Sequence, residues 1–389
     1  MSKLVINNLG PIEKCELDCV QFMTLTGFQA SGKSTIAKAI YYFRTIKDDI
    51  LNLARTQAWN TIPVSGLETE FDIVQGTTLR KGLENYLREK FLRTFGSSWG
   101  MSNEMFMEYY YTDKCFIKVS LREDTKFNTP NYIWITLSSE LKEFLKIKNN
   151  IFTVTPLGIS EEDEIRFKAE LYEVFQDRYS VVYIPAGRSM ITLLSQQIAY
   201  IYATMDDVQK RSLDSCTKDY LERILRLKSE FSDGLQGLTA YVTGKVKISE
   251  EVIKQALCLI KKILRGIYRY SNGEEQIILE NGKYVKINFS SSGQQESVWI
   301  LNLLFYYLLQ PNQVLFIIEE PESHLFPESQ KYITELIALV SNCNHSVVLT
   351  THSPYVLGTL NNLLYAQTIP DKYNEKVNRI ISKTVWLDS

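Results

Sequence analysis

GFQASGKST (Gly27–Thr35) near the start of the chain fits the phosphate-binding pattern G-x-x-x-x-G-K-[ST], with Gly27, Gly32, Lys33 and Ser34 at its fixed positions. Average residue frequencies would produce that pattern in about one chain in a hundred of this size, so accident is a weak explanation. Glycines let the backbone curl until successive N–H groups, those of Gln29, Ala30 and Ser31 among them, face phosphate oxygens. A helix beginning near Lys33 would aim its positive end at the same anion. Lys33 adds a mobile cation for the β- and γ-phosphates, and the Ser34 hydroxyl can ligate Mg²⁺. Thr35 continues the turn and reads as a capping or packing residue of the loop. The implied ligand is ATP or GTP.

Such a loop needs a partner strand ending in carboxylates, one for Mg²⁺ and one to activate water. VLFIIEE supplies apolar residues and then Glu319 and Glu320. A buried strand presents its last residues at the carboxyl edge of the sheet, where nucleotides sit in open α/β sheets. TTHSP ends the next strand, which places His352 at the same edge as a γ-phosphate contact. His324 and His345 read as structural or surface residues. SSSGQQ opens a helix read as Gln295–Leu309, a second anion-binding helix start formed by Ser292 and Gly293 with Gln295. Two such starts in one chain imply a nucleotide shared between two subunits.

The elements that must hold these residues are legible in outline. Phe22, Met23 and Leu25 form a strand into the loop, and STIAKAIYYF forms the helix out of it. VINNL and CELDCV read as further N-terminal strands, and CFIKVSL and NYIWITL alternate like strands. Lys47–Tyr111 reads as mostly helical, with Leu79, Leu83, Leu87, Phe91 and Phe95 on one face of an amphipathic helix. Arg80, Lys81, Arg88, Lys90 and Arg93 then decorate its solvated remainder, with nucleic-acid contact as the other reading. EEDEIRFKAELYEVF opens with acids, as a helix start prefers. VVYIPAGRSM is a buried strand ending in a Pro-Ala-Gly-Arg turn. Ile191–Tyr268 is again helical, and QIILENGKYVKINF is a hairpin whose Asn281-Gly282 suits a two-residue type I′ turn. The alternation of helix and strand after it argues a parallel sheet. The expected division is 1–189, an N-terminal lobe with the loop; 190–272, a helical insert; and 273–389, a C-terminal lobe.

At 389 residues with a net charge of −2, the chain has room for one large or two to three ordinary domains and is not a polycation built for nucleic acid. Six scattered cysteines without a C-x-x-C pair, and three histidines, argue against a zinc site and more strongly against a disulfide framework. The cysteines read as buried thiols of a reducing compartment. MSKLVINNLG lacks the apolar stretch of a signal peptide, and Val298–Leu309 is too short to span a bilayer. The expectation is a cytoplasmic protein with no membrane partner.

The glycine loop, S-G-x-Q, hhhhEEPE and TTHSP in this order resemble the ABC-type ATPases of the SMC/RecF/OLD-like branch, and INNLGPI is similar to that branch's first strand. The resemblance covers the chain to about Thr45, YIPAGR, and the stretch from about Glu280 onward. It implies an α/β P-loop head with a mixed or parallel sheet, N-terminal antiparallel strands and a mostly helical insert. By resemblance Lys33 and Ser34 are Walker A residues, and Ser292, Gly293 and Gln295 the signature. Glu319 is then the Walker B ligand of Mg²⁺, Glu320 the catalytic base and His352 the switch histidine. Arg188 sits in a motif similar to the branch's P-x-x-R turn and is taken as a near-site arginine, grouped with the nucleotide-binding residues without an assigned role. Two positions depart from the pattern: Glu319 stands where Asp is general, and Gln294 replaces the second signature glycine.

The resemblance further implies ATP and Mg²⁺ as cofactors and a homodimer or higher homo-oligomer closed around ATP. The insert is too short for an SMC arm, and the stretch after His352 holds no acid cluster of a Toprim nuclease. Stand-alone ATPases of this branch sit in antiphage systems such as Septu and PARIS beside a separate effector. The leading expectation is therefore a slow regulatory ATPase controlling such an effector in antiphage defence. A DNA-repair ATPase in the manner of RecF and a non-hydrolysing ATP-bound scaffold are the alternatives, and nucleic acid stays open as a partner.

Overall fold

The structure is a computed structural model and describes residues 2–56, 78–98, 100–124, 129–152, 160–193, 204–205, 214–242 and 248–387. In chain order the first elements are β1 (Ser2–Leu9), β2 (Ile12–Cys19), β3 (Phe22–Thr26), α1 (Lys33–Arg44), α2 (Ile46–Thr56) and α3 (Leu79–Phe95). Then come β4 (Phe106–Tyr110), β5 (Phe116–Asp124), β6 (Thr129–Leu137), α4 (Ser139–Phe152), α5 (Glu161–Phe175), β7 (Ser180–Ile184) and α6 (Arg188–Leu193). The remainder holds α7 (Ser215–Leu227), α8 (Gly234–Val242), α9 (Glu250–Leu264), β8 (Ile267–Ser271), β9 (Glu274–Ile278) and β10 (Tyr284–Lys286). It ends with α10 (Ser292–Leu308), β11 (Val314–Glu319), α11 (Pro327–Asn342), β12 (Ser346–Thr351) and α12 (Pro354–Thr368). These form two compact units: Met1–Val20 with Ala30–Val181, and Gln21–Gln29 with Val182–Ser389.

The first unit is built on an antiparallel sheet of order β2-β1-β4-β5-β6. Alternation puts Leu4, Tyr109, Ile117 and Leu137 in one buried cross-strand row and Ile6, Met107, Val119 and Ile135 in the next. Phe43 of α1 stacks on Tyr109 at 5.4 Å, and the Tyr111 hydroxyl donates to the Phe43 carbonyl at 2.6 Å. The apolar stripe of α3 is as expected, with Leu79, Leu83, Leu87 and Phe91 fully buried. Its basic residues are a correction. Lys90 is buried against Asp49, and Arg88 donates to the Ile133 carbonyl at 3.0 Å, so the solvated basic face shrinks to Arg80 and Lys81. Residues 57–77 of the stretch read as helical lie outside the described residues, and its end forms β4. The acids that open α5 sit in its first turn behind the Ser160 cap, as the sequence indicates.

The second unit holds a four-stranded sheet of order β3-β12-β11-β7, with β3, β12 and β11 parallel. Every residue of β11 and β12 is buried, which explains their near-continuous apolar sequences. β3 thus leaves the N-terminal hairpin to join C-terminal strands. The helical stretch 215–264 shares its core with α10 and α11: Ile224, Leu259 and Ile263 belong to the cluster of Trp299 and Leu336. Residues 194–203, 206–213 and 243–247 of that stretch lie outside the described residues.

A smaller antiparallel sheet, β10-β9-β8, contains the expected hairpin with a different turn. The Gly282 amide donates to the Leu279 carbonyl at 3.0 Å, so Glu280 and Asn281 are the central residues and Gly282 follows at φ +77°. This is a three-residue loop with a glycine bulge, and Asn281 does not adopt the positive φ that a type I′ turn requires. The cysteines are also less buried than expected. Only Cys115 and Cys216 are buried, Cys258 is exposed, and none of the six is in a disulfide. Among the described residues no helix is long and apolar enough to cross a membrane.

Candidate nucleotide site

Parallel registry brings three strand ends to one edge of the second unit. Thr26 pairs with Thr351 and Thr350 with Glu319, so Gly27, His352 and Glu320 are the residues that leave β3, β12 and β11 together. The exposed residues Gly27, Phe28 and Gln29 begin the glycine loop from that edge.

The rest of the loop, Ala30–Gly32, belongs to the first unit and feeds α1. Gly32 has φ +96°, and a Cβ there would stand 2.7 Å from Ile12 Cγ1. Both its conformation and the hairpin tip at Pro11–Ile12 therefore demand glycine, which gives INNLGPI a physical reason to accompany the loop. Ala30 also sits in the left-handed region, at φ +60°. No side chain caps α1. The first-turn N–H groups of Ser34 and Thr35 have no intrahelical carbonyl to serve, and the Ser34 side chain is exposed. Lys33 is packed down to 7% exposure, with Nζ 3.5 Å from Ser31 Oγ.

The two carboxylates differ sharply. Glu319 ends β11 at 5% exposure; its Oε2 accepts the Ala186 N–H at 3.2 Å, and the Tyr183 phenol is the carboxylate's other hydrogen-bonding neighbour. A buried carboxylate at a strand end is a hard oxygen donor, and a divalent cation suits it. Burial, and then the charge of Glu319 beside it, push the Tyr183 phenol well above the ordinary tyrosine range. Glu320 is half-exposed, at φ +43°, with its amide on the Thr350 carbonyl at 3.0 Å. Left-handed backbone at a bulky residue is a local strain that the surroundings must impose. His352 Nε2 lies 3.3 Å from Glu320 Oε1.

SSSGQQ forms the start of α10, three residues earlier than expected. Ser291 is the cap, accepting the Gln294 N–H at 3.4 Å, while Gln294 Oε1 accepts the Ser291 N–H at 3.1 Å. Gln294 Nε2 also reaches the Leu264 carbonyl at 2.7 Å, which accounts for glutamine where a glycine was expected. Ser292 is exposed at the tip. Gly293 is needed for packing, because a Cβ there would meet the His324 carbonyl at 2.7 Å. Gln295 is buried, and its amide nitrogen donates to the Ile287 and Ser290 carbonyls at 3.2 and 3.0 Å, so it shapes the loop before the helix.

Arg188 is 0% exposed, and its guanidinium donates to protein carbonyls, those of Glu319 and Glu320 among them. Three further residues escaped the sequence reading: Tyr183, Glu296 and Glu322. Glu322 Oε1 accepts the amides of His352 and Ser353 and the Thr351 hydroxyl. Its place inside EEPE was the available signal. His345 is structural, as expected, with Nδ1 accepting the Val314 N–H at 3.1 Å.

A family model described as AAA ATPase domain matches residues 1–357. No curated protein was found to match the chain. Among solved structures the chain is similar to an SMC head bound to the C-winged helix domain of ScpA, at 12% identity over 92% of this chain and 90% of that one, with a TM-score of 0.43. The SMC head domain from Thermotoga maritima is 14% identical over the same shares, with a TM-score of 0.37. An Smc head with an extended coiled coil, bound to the C-terminal domain of ScpA derived from Pyrococcus furiosus, is 12% identical over 92% of each chain, with a TM-score of 0.40.

Proposed function

The chain belongs to the AAA ATPase domain family, and from that premise we propose that it binds ATP with Mg²⁺ and hydrolyses it slowly as a cytoplasmic homodimer or higher homo-oligomer. Turnover controls a separate effector protein, and the setting is antiphage defence. The effector and the setting rest on the resemblance to stand-alone ATPases of the OLD-like branch.

The observation that carries the hydrolytic reading is Glu320, strained at φ +43° and 3.3 Å from His352 at the strand edge from which the glycine loop departs. Loop N–H groups and Lys33 bind the phosphates. Ser34 and Glu319 would hold Mg²⁺, which when bound neutralises charge on the phosphate oxygens. Glu320 takes the proton of the attacking water, and His352 orients against the γ-phosphate. Ser292 and Gly293 serve the nucleotide of a second subunit. The repair reading loses its basic stripe, since Lys90 is buried and Arg88 is tied to a backbone carbonyl.

The test is phosphate release from Mg-ATP by the wild-type chain and by Glu320→Gln. Release should fall about 10²–10⁴-fold in the variant, the range for a lost general base, with nucleotide affinity retained. Binding without release in the wild type would replace this reading with the scaffold, and release that depends on duplex DNA would replace it with repair. The defence setting is tested by phage plating with and without the gene and its neighbours; equal plating overturns it.

A further inference from the structure

We infer that Arg188 and Glu296 form a mechanical link that sets the position of Glu320 according to what occupies the start of α10. The inference rests on the proposed ATPase reading and deepens it.

Arginine is among the residues least often fully buried, and Arg188 is fully buried. Its three nitrogens reach in three directions. Nε donates to the Glu296 carbonyl at 3.1 Å and lies 3.4 Å from Glu296 Oε2. Nη1 donates to the Pro185 and Glu319 carbonyls at 2.5 and 2.6 Å, and Nη2 to the Glu320 carbonyl at 3.0 Å. The Arg188 amide donates to Glu296 Oε2 at 3.0 Å. One planar cation therefore grips both carboxylate residues by their backbone at the point where Glu320 is held in the left-handed region. No other side chain presents so many donors in a fixed plane.

Glu296 lies one turn along α10 from Ser292, on the helix that begins with the signature. A second contact joins the same parts, since Gly293 packs against the His324 carbonyl in the loop that follows Glu320. A load on the first-turn N–H groups at exposed Ser292 and half-buried Gly293 moves the first turn of α10. That turn carries Glu296, Glu296 carries Arg188, and Arg188 carries the Glu319–Glu320 backbone. A buried ion pair seldom adds net stability, so its value is positional.

Arg188→Lys keeps the charge and loses the fork; Glu296→Gln keeps the shape and loses the charge. Both are made in the full chain. In each, ATP affinity by calorimetry should stay within about threefold of wild type, while kcat falls about tenfold or more. The double variant should be no worse than Arg188→Lys alone, because both substitutions break one link. Hydrogen exchange at the 319–324 amides should quicken, and the change that Mg-ATP induces there in the wild type should vanish in both variants. A lowered Tm with wild-type kcat and exchange in the folded protein overturns the link and leaves a structural pair. If Arg188→Lys does not fold, Glu296→Gln alone decides by the same readouts. A wild type that binds ATP without turnover sinks the ATPase reading, and the exchange of 319–324 then still decides the link, since unchanged exchange in the variants refutes it.

Discussion

Glu322 Oε1 accepts the backbone N–H of His352 at 2.9 Å, and so joins the loop after β11 to the turn after β12. The same oxygen takes the Thr351 hydroxyl at 2.6 Å and the Ser353 N–H at 3.2 Å. The backbone that carries the histidine is thus positioned by a carboxylate from the loop after β11. Glu322→Ala should remove the acceptor that the His352 amide and the Thr351 hydroxyl share, at a cost of about 1–3 kcal/mol, while the Ser353 amide keeps Thr351 Oγ1. Turnover should fall more than ATP affinity does. Thermal unfolding together with kcat and Kd measures this, and intact turnover would show that the turn holds without Glu322.

The strain at Glu320 predicts a split between stability and activity. Glycine adopts φ +43° without a Cβ clash, so Glu320→Gly should relieve a local cost of about 1 kcal/mol, reduced by glycine's greater freedom in the unfolded chain. Hydrolysis should be lost while the unfolding midpoint holds or rises. A clear drop in midpoint would mean that the Glu320 side chain contributes more than the strain it causes.

Lys33→Ala should abolish ATP binding by calorimetry, because charge-assisted contacts to phosphate are the strong class of hydrogen bond. Ser292→Arg should leave binding to a single subunit nearly intact and block dimerisation and hydrolysis. Mixing the two variants gives heterodimers in which one composite site carries both lesions and the other carries neither. Hydrolysis should partly return. A mixture that associates and stays inactive would reduce SSSGQQ to a helix cap.

His345 should make stability depend on acid. Burial lowers its pKa from 6.5 to about 4 in the folded chain, where it accepts the Val314 N–H. The unfolded chain therefore binds more protons between these values, and stability falls as pH drops from about 6.5 towards 4. Above that window the contribution is fully present, and across it the loss is on the order of 3 kcal/mol. Denaturant unfolding at several pH values should show a shallower slope for His345→Gln than for wild type. Equal slopes would mean that His345 protonates without penalty.

Much of the candidate site could be proposed without coordinates, because its parts are locally specified. A phosphate loop demands glycine, lysine and a hydroxyl at set spacings, whatever lies elsewhere in the chain. Central parallel strands must be apolar through and through, so VLFIIEE and SVVLTTH announce both the strands and the edge at which their polar ends emerge. The α/β class and the stripe of α3 follow from periodicity for the same reason.

The rest depended on partners that sequence distance hides. Arg188 finds Glu296 and Glu319 at separations of 108 and 131 residues, and nothing in YIPAGR says whether its cation meets a nucleotide or a carbonyl. Lys90 lies on a helix that reads as solvated until Asp49, 41 residues away, draws it inward. β3 follows a hairpin in the chain and pairs instead with β12, more than 300 residues later, because a parallel sheet takes its neighbours from crossovers and not from turns. Local chemistry determined which residues can act; long-range pairing decided which of them gather at the strand edge and which are buried against the others.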